Sequence, residues 1–497
     1  MQSLRAGWTG TGTALDRRAA FGYGPQVSVR VHSYHLPGIE GHITSEAFRC
    51  GAVEIEVPRL RADQFRSLLD RAREAALQHL RQRPVDKILA AVDCVVANWL
   101  RPDYHLRQQA EEILPPATGF SPESVRHGLP LLFEPLRAVE IRTLLDAELG
   151  DYRVLDGIYG GRHATGPALI AHVLSGNIPG LAAAPVLLSL VLKSAVLIKS
   201  AAGDPVFPAL FASSIREVDP DLARCLVVAY WRGGDGEFEE AALSVPDVVV
   251  TSGSDAAIAA MAARARTRFI GHGHKISFAA IGRECLSDRN AAIRLAHSLA
   301  YDVSLWDQQG CLSPQLCYIE DAGHVTPAAF AAHLAEALSG YAAELPPRKL
   351  SLDEQAQVLR FRQEAEWRQD TPGTTGLLTS PGSTDWSISI EKGAEFVPSC
   401  LNRCMRIKVV TDLAELPPAL VPHRRHLEAA GIAVEPARLA SLSTLLGSCG
   451  VHRICPIGEM QRPPLSWRQG GRSRVADWVE WTVVEEREGE SVERGNV

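Results

Sequence analysis

Between residues 168 and 282 the chain alternates short β-branched apolar runs with longer segments of helical pattern. The apolar runs (168–174, 195–199, 225–230, 248–251 and 275–281) have the length of buried strands. The segments between them (181–193, 205–217, 237–244 and 255–264) read as helices. Such alternation predicts an α/β fold around a doubly wound parallel sheet. Ligands of these sheets bind in the crevice outside the carboxyl ends of the strands. The longest apolar run, 181–198, lies inside this region and contains Pro185 and Lys193. It is a poor membrane span and reads instead as a buried helix over 182–193 followed by a buried strand at 195–199.

A chain of 497 residues is too long for one core, so two or three domains are expected. Residues 1–150 form an N-terminal region that packs on the domain after it, with β-rich pieces at 27–31 and 52–57 and helices at 61–81, 85–100 and 121–150. Downstream, helices are predicted at 287–301, 327–344 and, after the capping box Ser351-Leu352-Asp353-Glu354, to about residue 369. Residues 371–385 read as a loop, 316–319, 386–390, 405–411 and 478–484 as strands, and 423–430 and 436–446 as helical. The net charge of −7 leaves no basic field for nucleic acid or an anionic membrane. The ten cysteines are scattered, with no CxxC pair, which points to free thiols in a reducing cytoplasm. Residues 1–26 contain no apolar stretch of signal-peptide type.

Two loops carry candidate chemistry. In Gln308-Gln309-Gly310-Cys311-Leu312-Ser313, one cysteine follows a glycine where a carbonyl could approach its thiolate. In Ser175-Gly176-Asn177-Ile178-Pro179-Gly180, an asparagine in a glycine-flanked turn can aim its amide at a developing oxyanion. Lys199 ends an apolar strand, where it could reach a ribose or phosphate or simply be solvated. Ser252, Gly253 and Ser254 lie between a strand and a helix, as a phosphate cradle or an ordinary helix cap. His272 and His274, in Gly271-His272-Gly273-His274-Lys275, are too few for a metal site, and no metal is expected.

No G-x-G-x-x-G fingerprint follows the first strand. Asn177-Ile178-Pro179, Lys199, Ser252-Gly253-Ser254 and Gly310-Cys311 nevertheless resemble, in order and spacing, the aldehyde dehydrogenase superfamily. Within it, the segments 175–180, 198–205, 271–277 and 308–315 and the signature Gly450-Val451-His452-Arg453-Ile454-Cys455-Pro456-Ile457-Gly458-Glu459-Met460 resemble the acyl-CoA reductase family, the LuxC-type fatty-acid reductases. The resemblance implies an aldehyde-dehydrogenase-like fold with an NAD(P)-binding Rossmann-like domain at 151–284, a catalytic cysteine domain at 285–465 and a C-terminal strand and tail at 466–497. It makes Cys311 the nucleophile, Asn177 an oxyanion donor, and Lys199, Ser252, Gly253 and Ser254 the cofactor contacts. NADPH is the implied cofactor and acyl-CoA, or an acyl-charged carrier or acyl-protein synthetase, the implied partner of a homo-oligomer.

Aldehyde-oxidising members carry a glutamate base before a Gly-Gly-Lys strand, and here Gly271 stands at that position. A reductase must keep its acyl-cysteine from water, so a missing base fits reduction. His272 or His274 is then the candidate proton donor. The turn Trp467-Arg468-Gln469-Gly470-Gly471 departs from the aspartate-containing turn of the family, which puts its role in doubt. Two rival readings are an NAD(P)-dependent aldehyde or semialdehyde dehydrogenase, and a non-catalytic acyl-binding partner of an acyl-activating enzyme.

Overall fold

A computed structural model of the chain describes residues 30–39, 44–368 and 374–485. Strands Leu226–Ala229, Ala195–Lys199, Leu169–Val173, Val248–Ser252 and Arg268–His272 lie side by side in that order, all parallel. The helices Ala183–Val191, Phe207–Val218, Gly236–Ser244 and Asp255–Ala262 make the crossovers. The direction of winding reverses between Leu169–Val173 and Val248–Ser252, which places the ligand crevice over their carboxyl ends. The run 181–198 forms the expected buried helix and strand. Among the described residues no helix is long and apolar enough to cross a membrane.

Two expectations fail here. The fifth strand of this sheet is Arg268–His272, whose Arg and Gly residues hide its strand character. The run predicted at 275–281 forms Ile276–Ile281, but it sits in a different sheet, between Pro314–Glu320 and Leu427–Ala433. The backbone from Gly273 to Lys275 therefore links the two sheets.

The second sheet has seven strands in the order Thr374–Thr379, Ser387–Lys392, Cys404–Val410, Pro314–Glu320, Ile276–Ile281, Leu427–Ala433 and Arg453–Pro456. All neighbours are parallel except Thr374–Thr379, an antiparallel edge strand where the sequence suggested a loop. Leu427–Ala433 also corrects a reading, since its Leu, Glu and Ala residues favour helix. Placement between two parallel partners overrides that propensity, and six of its seven residues are buried.

The N-terminal helices Ala62–His79 and Val85–Leu100 join the core of the five-stranded sheet. Buried Trp99 ties them to it, donating to Ser214 Oγ at 2.8 Å and stacking on Phe133 at 5.0 Å. Two helices, Arg289–Ser304 and Pro327–Glu344, pack together over one face of the seven-stranded sheet. The capping box forms as expected, with Ser351 N donating to Glu354 Oε2 at 2.8 Å and Glu354 N to Ser351 Oγ at 3.3 Å. The C-terminal strand Glu480–Val483 returns to pair antiparallel with Arg162–Thr165. The strand expected at 27–31 is described only from Arg30 onward, as part of Arg30–His32.

Candidate active site

Cys311 follows a backbone conformation that L-residues avoid. Trp306, Asp307 and Gln308 have φ of 59°, 49° and 62°, so the chain makes one left-handed turn before the cysteine. A second left-handed turn, Leu401, Asn402 and Arg403, has φ of 63°, 55° and 59°. Each such residue costs about 1–2 kcal/mol, so these turns persist only because their surroundings hold them. The two turns hold each other. Asn402 N donates to Asp307 O at 3.1 Å, and Arg403 Nε to Asp307 Oδ1 at 2.5 Å, with both side chains buried. Gln308 Nε2 donates to Cys404 O at 3.1 Å, and Gln309 Nε2 to Asn402 Oδ1 at 3.0 Å. Trp306 is anchored against the backbone of Gly128, where a Cβ would stand 2.1 Å from its ring.

Asn177 meets this loop. Its Nδ2 donates to Gln309 O at 2.6 Å, and Ser175 Oγ donates to its Oδ1 at 2.8 Å, which fixes the amide's orientation. One N–H of the amide remains for a second acceptor. Ser277 Oγ closes the other side, donating to Cys311 O at 2.6 Å and accepting from Ala429 N at 3.1 Å. Cys311 packs against the apolar cluster of Leu312, Ala429, Met460 and Trp467, and Cys455 packs against the same cluster.

The structure also brings three charged residues to the thiol that the sequence did not single out: Glu428, Lys275 and Arg474. Burial, and then the charge of Glu428, push the Cys311 thiol up to about 12, opposed by Lys275 and Arg474. The Glu428 side chain is fully buried, and its Oε1 accepts from Gly470 N at 2.9 Å. Its Oε2 has no hydrogen-bond partner, with Lys275 Nζ at 3.8 Å and His452 Nδ1 at 4.0 Å. Burial raises the Glu428 carboxyl above its usual range, despite Gly470, Lys275 and Arg474. Arg474 Nε donates to Trp467 O at 3.0 Å, and its own N–H to Glu148 Oε1 at 2.8 Å. The turn at 467–471, in doubt from its sequence, thus supplies Trp467 and Gly470 to the surroundings of Cys311.

This geometry revises the inference from Gly271. A Cβ there would stand 2.6 Å from Ile258 Cγ2 and 3.2 Å from Phe269 Cε1. A glutamate at 271 would run into the helix Asp255–Ala262, and the carboxylate that reaches the thiol's surroundings is Glu428.

The remaining candidates line the ends of the strands. Lys199 Nζ lies 5.8 Å from the Tyr230 ring and 6.0 Å from that of Trp231, and burial lowers its pKa. Ser252 ends its strand beside His272, and Gly253 N donates to His272 O at 3.2 Å. Ser254 caps the helix Asp255–Ala262, accepting from Ala257 N at 3.3 Å. His272 is held down to about 4 by burial and by Arg472, Arg474 and Lys275, so it is neutral near pH 7. His274 shares a cavity with His272, Lys275 and Gly470; its backbone N donates to Asp255 Oδ1 at 3.0 Å, and its ring lies 6.3 Å from that of His426. Along the five strand ends the order is Trp231, Lys199, Asn177, Ser252 and His272, with Asn177 at the reversal point.

A parallel sheet with this winding beside a second sheet that presents a cysteine loop is the architecture of the aldehyde dehydrogenases. Aldehyde dehydrogenase 21 from Physcomitrella patens superposes with a TM-score of 0.67 at 12% identity, covering 94% of this chain and all of that one. An NADP-dependent glyceraldehyde-3-phosphate dehydrogenase from Bacillus halodurans gives 0.63 at 14% identity, over 90% and 96% of the two chains. The sequence narrows the class. Residues 80–473 match the acyl-CoA reductase (LuxC) family, and the chain belongs to that family, whose members are oxidoreductases. It is similar to the long-chain acyl-protein thioester reductases of Vibrio harveyi (24% identity, 78% of this chain and 81% of the relative) and Photorhabdus luminescens (25%, 83% of each).

Proposed function

We propose that this enzyme reduces a long-chain fatty acyl thioester to the aldehyde through an acyl group carried on Cys311, with NADPH as reductant. The observation that carries this reading is the contact of Asn177 with the Cys311 loop. Glu428 takes the thiol proton through one water, and the thiolate attacks the acyl carbonyl. The second Asn177 N–H and the Cys311 N–H stabilise the oxyanion. The departing thiol takes the proton from Glu428, so the carboxylate is restored. Leu312, Ala429, Met460 and Trp467 surround the resulting thioester with apolar surface and keep water from it.

The cofactor fits the strand ends. Gly253 leaves its backbone open, since an added Cβ would meet only Ala257 Cβ at 4.0 Å. Ser252, Gly253 and Ser254 would hold the phosphates, and Lys199 the ribose. Bound NADPH supplies the hydride that reduces the acyl group. Neutral His272 is a poor acid, which leaves its role to orientation. The names of the relatives support an acyl-charged protein as donor, and the family name supports acyl-CoA.

Incubation with acyl-CoA and NADPH, followed at the nicotinamide absorbance, tests the reading. NADPH consumption with aldehyde release is expected. Reduction of NAD(P) by aldehyde, with no NADPH consumption on acyl thioester, would establish the oxidative alternative.

A further inference from the structure

Two of the nine cysteines other than Cys311, Cys400 and Cys404, flank the left-handed turn that supports the nucleophile loop. The chain folds back there, with Cys404 N donating to Leu401 O at 3.0 Å. Both side chains pack into one small apolar cluster with Val358 and Phe361. The two sulfurs lie within hydrogen-bonding reach of one another, and a disulfide needs its two side chains directed at each other. Cys400 is half-buried, whereas Cys404 is buried.

We propose that Cys400 and Cys404 form an oxidisable dithiol site, which peroxide closes to an intramolecular disulfide, and that closure governs the Cys311 loop.

The environment assigns an order to the two thiols. A hydrogen bond with Cys404 lowers the pKa of Cys400, and the charge of Arg406 lowers it further. The same hydrogen bond and burial raise that of Cys404. Cys400, as the accessible thiolate, attacks one peroxide oxygen. An S–O bond forms, the O–O bond breaks, and the departing hydroxide takes a proton to leave as water. The Cys404 thiol then attacks the sulfenic sulfur, forming S–S, breaking S–O and releasing a second water. In sum, two thiols lose two electrons and two protons, and one peroxide becomes two waters.

The coupling to Cys311 comes from what the turn holds. Asn402 bonds to Asp307 and Gln309, Arg403 to Asp307 and Cys404 to Gln308, and Gln309 O is the acceptor for Asn177. A disulfide resets the side-chain torsions on both flanks of a turn already in a disfavoured conformation, and so moves these supports. This consequence rests on Cys311 being the acyl-accepting thiol, whereas the disulfide does not.

The full-length protein is treated with hydrogen peroxide, quenched by alkylation and digested with trypsin without reductant. Trypsin cuts after Arg403, so the two cysteines leave on separate peptides unless bridged. The expected result is a linked pair, residues 393–403 with 404–406, separated again by dithiothreitol. In the same samples, alkylation and acylation of Cys311 are expected to slow, by about 10² if the loop shifts on the 1 Å scale, and to recover on reduction. The Cys400→Ser variant should keep its untreated rates and resist the loss. Absence of the linked pair, or a Cys311–Cys455 link in its place, overturns the site. A linked pair with unchanged Cys311 alkylation overturns the coupling, as does equal loss in Cys400→Ser, which indicates direct oxidation of Cys311. Reduced wild-type protein that never acylates counts against the proposed function, and the linked peptides still report on the dithiol.

Discussion

The buried Asp307 carboxylate and the buried Arg403 guanidinium meet at 2.5 Å, joining the left-handed turn before Cys311 to the left-handed turn that begins at Leu401. Arg403 also donates to Leu345 O at 2.6 Å, and Arg348 N donates to the second Asp307 oxygen at 2.8 Å. Removing one partner leaves a charge unpaired in the interior. Arg403→Met should therefore cost about 3–5 kcal/mol of stability, read as a drop in the denaturant midpoint. It should also slow Cys311 alkylation by a small electrophile. A variant as stable as the wild type would show that the pair does not hold the turns.

Asn177→Ala removes the proposed oxyanion donor and a support of Gln309 together. Acylation and reduction should each slow by about 10²–10³. Single-turnover rates within twofold of wild type would reduce Asn177 to a turn residue.

Glu428 acts on Cys311 in two opposed ways, and Glu428→Gln separates them. Its negative charge raises the thiol pKa, so loss of that charge should move the alkylation-versus-pH midpoint to lower pH. Loss of the base should nevertheless slow acylation near pH 7, by about 10²–10⁴. An alkylation midpoint that does not fall would place the carboxylate too far from the thiol for either role.

Glu320 provides a stability test away from the site. Burial alone would raise its carboxyl, but hydrogen bonds from Arg438, Leu413 N and Arg283 outweigh burial and hold it at about 2, below the usual 4.5. A depressed folded-state pKa stabilises the protein above the unfolded value, and that stabilisation is lost as pH falls from 4.5 towards 2. Glu320→Gln should lower stability at pH 7 by on the order of 2 kcal/mol, with the gap to wild type narrowing below pH 4.5. A gap that stays constant with pH would show that the charged form is not what these hydrogen bonds favour.

The sequence makes the five-stranded sheet legible because its inner strands are continuous apolar runs. Ala195–Lys199 falls where expected to the residue. Arg268–His272 is hidden because its edge position lets it carry Arg, Gly and His. Leu427–Ala433 is misread because its composition favours helix and only its neighbours in the sheet decide otherwise. The Cys311 and Asn177 loops announce themselves by local chemistry. Glu428 and Arg474 do not, because each is ordinary in its own segment and gains meaning only where strands from distant parts of the chain converge. Gly271 marks the opposite limit, since the family resemblance placed an absent base there and the backbone aims that position at Ile258.

The acyl group on Cys311 is the central claim, and intact mass with peptide mapping reads it most directly. Wild-type protein is incubated with acyl-CoA, or with an acyl-charged carrier protein, in the absence of NADPH. One acyl mass, localised to the peptide containing Cys311 and absent from Cys311→Ala, is the expected result, and added NADPH should discharge it as aldehyde. Acyl mass on any other cysteine, or acylation that persists in Cys311→Ala, would contradict it.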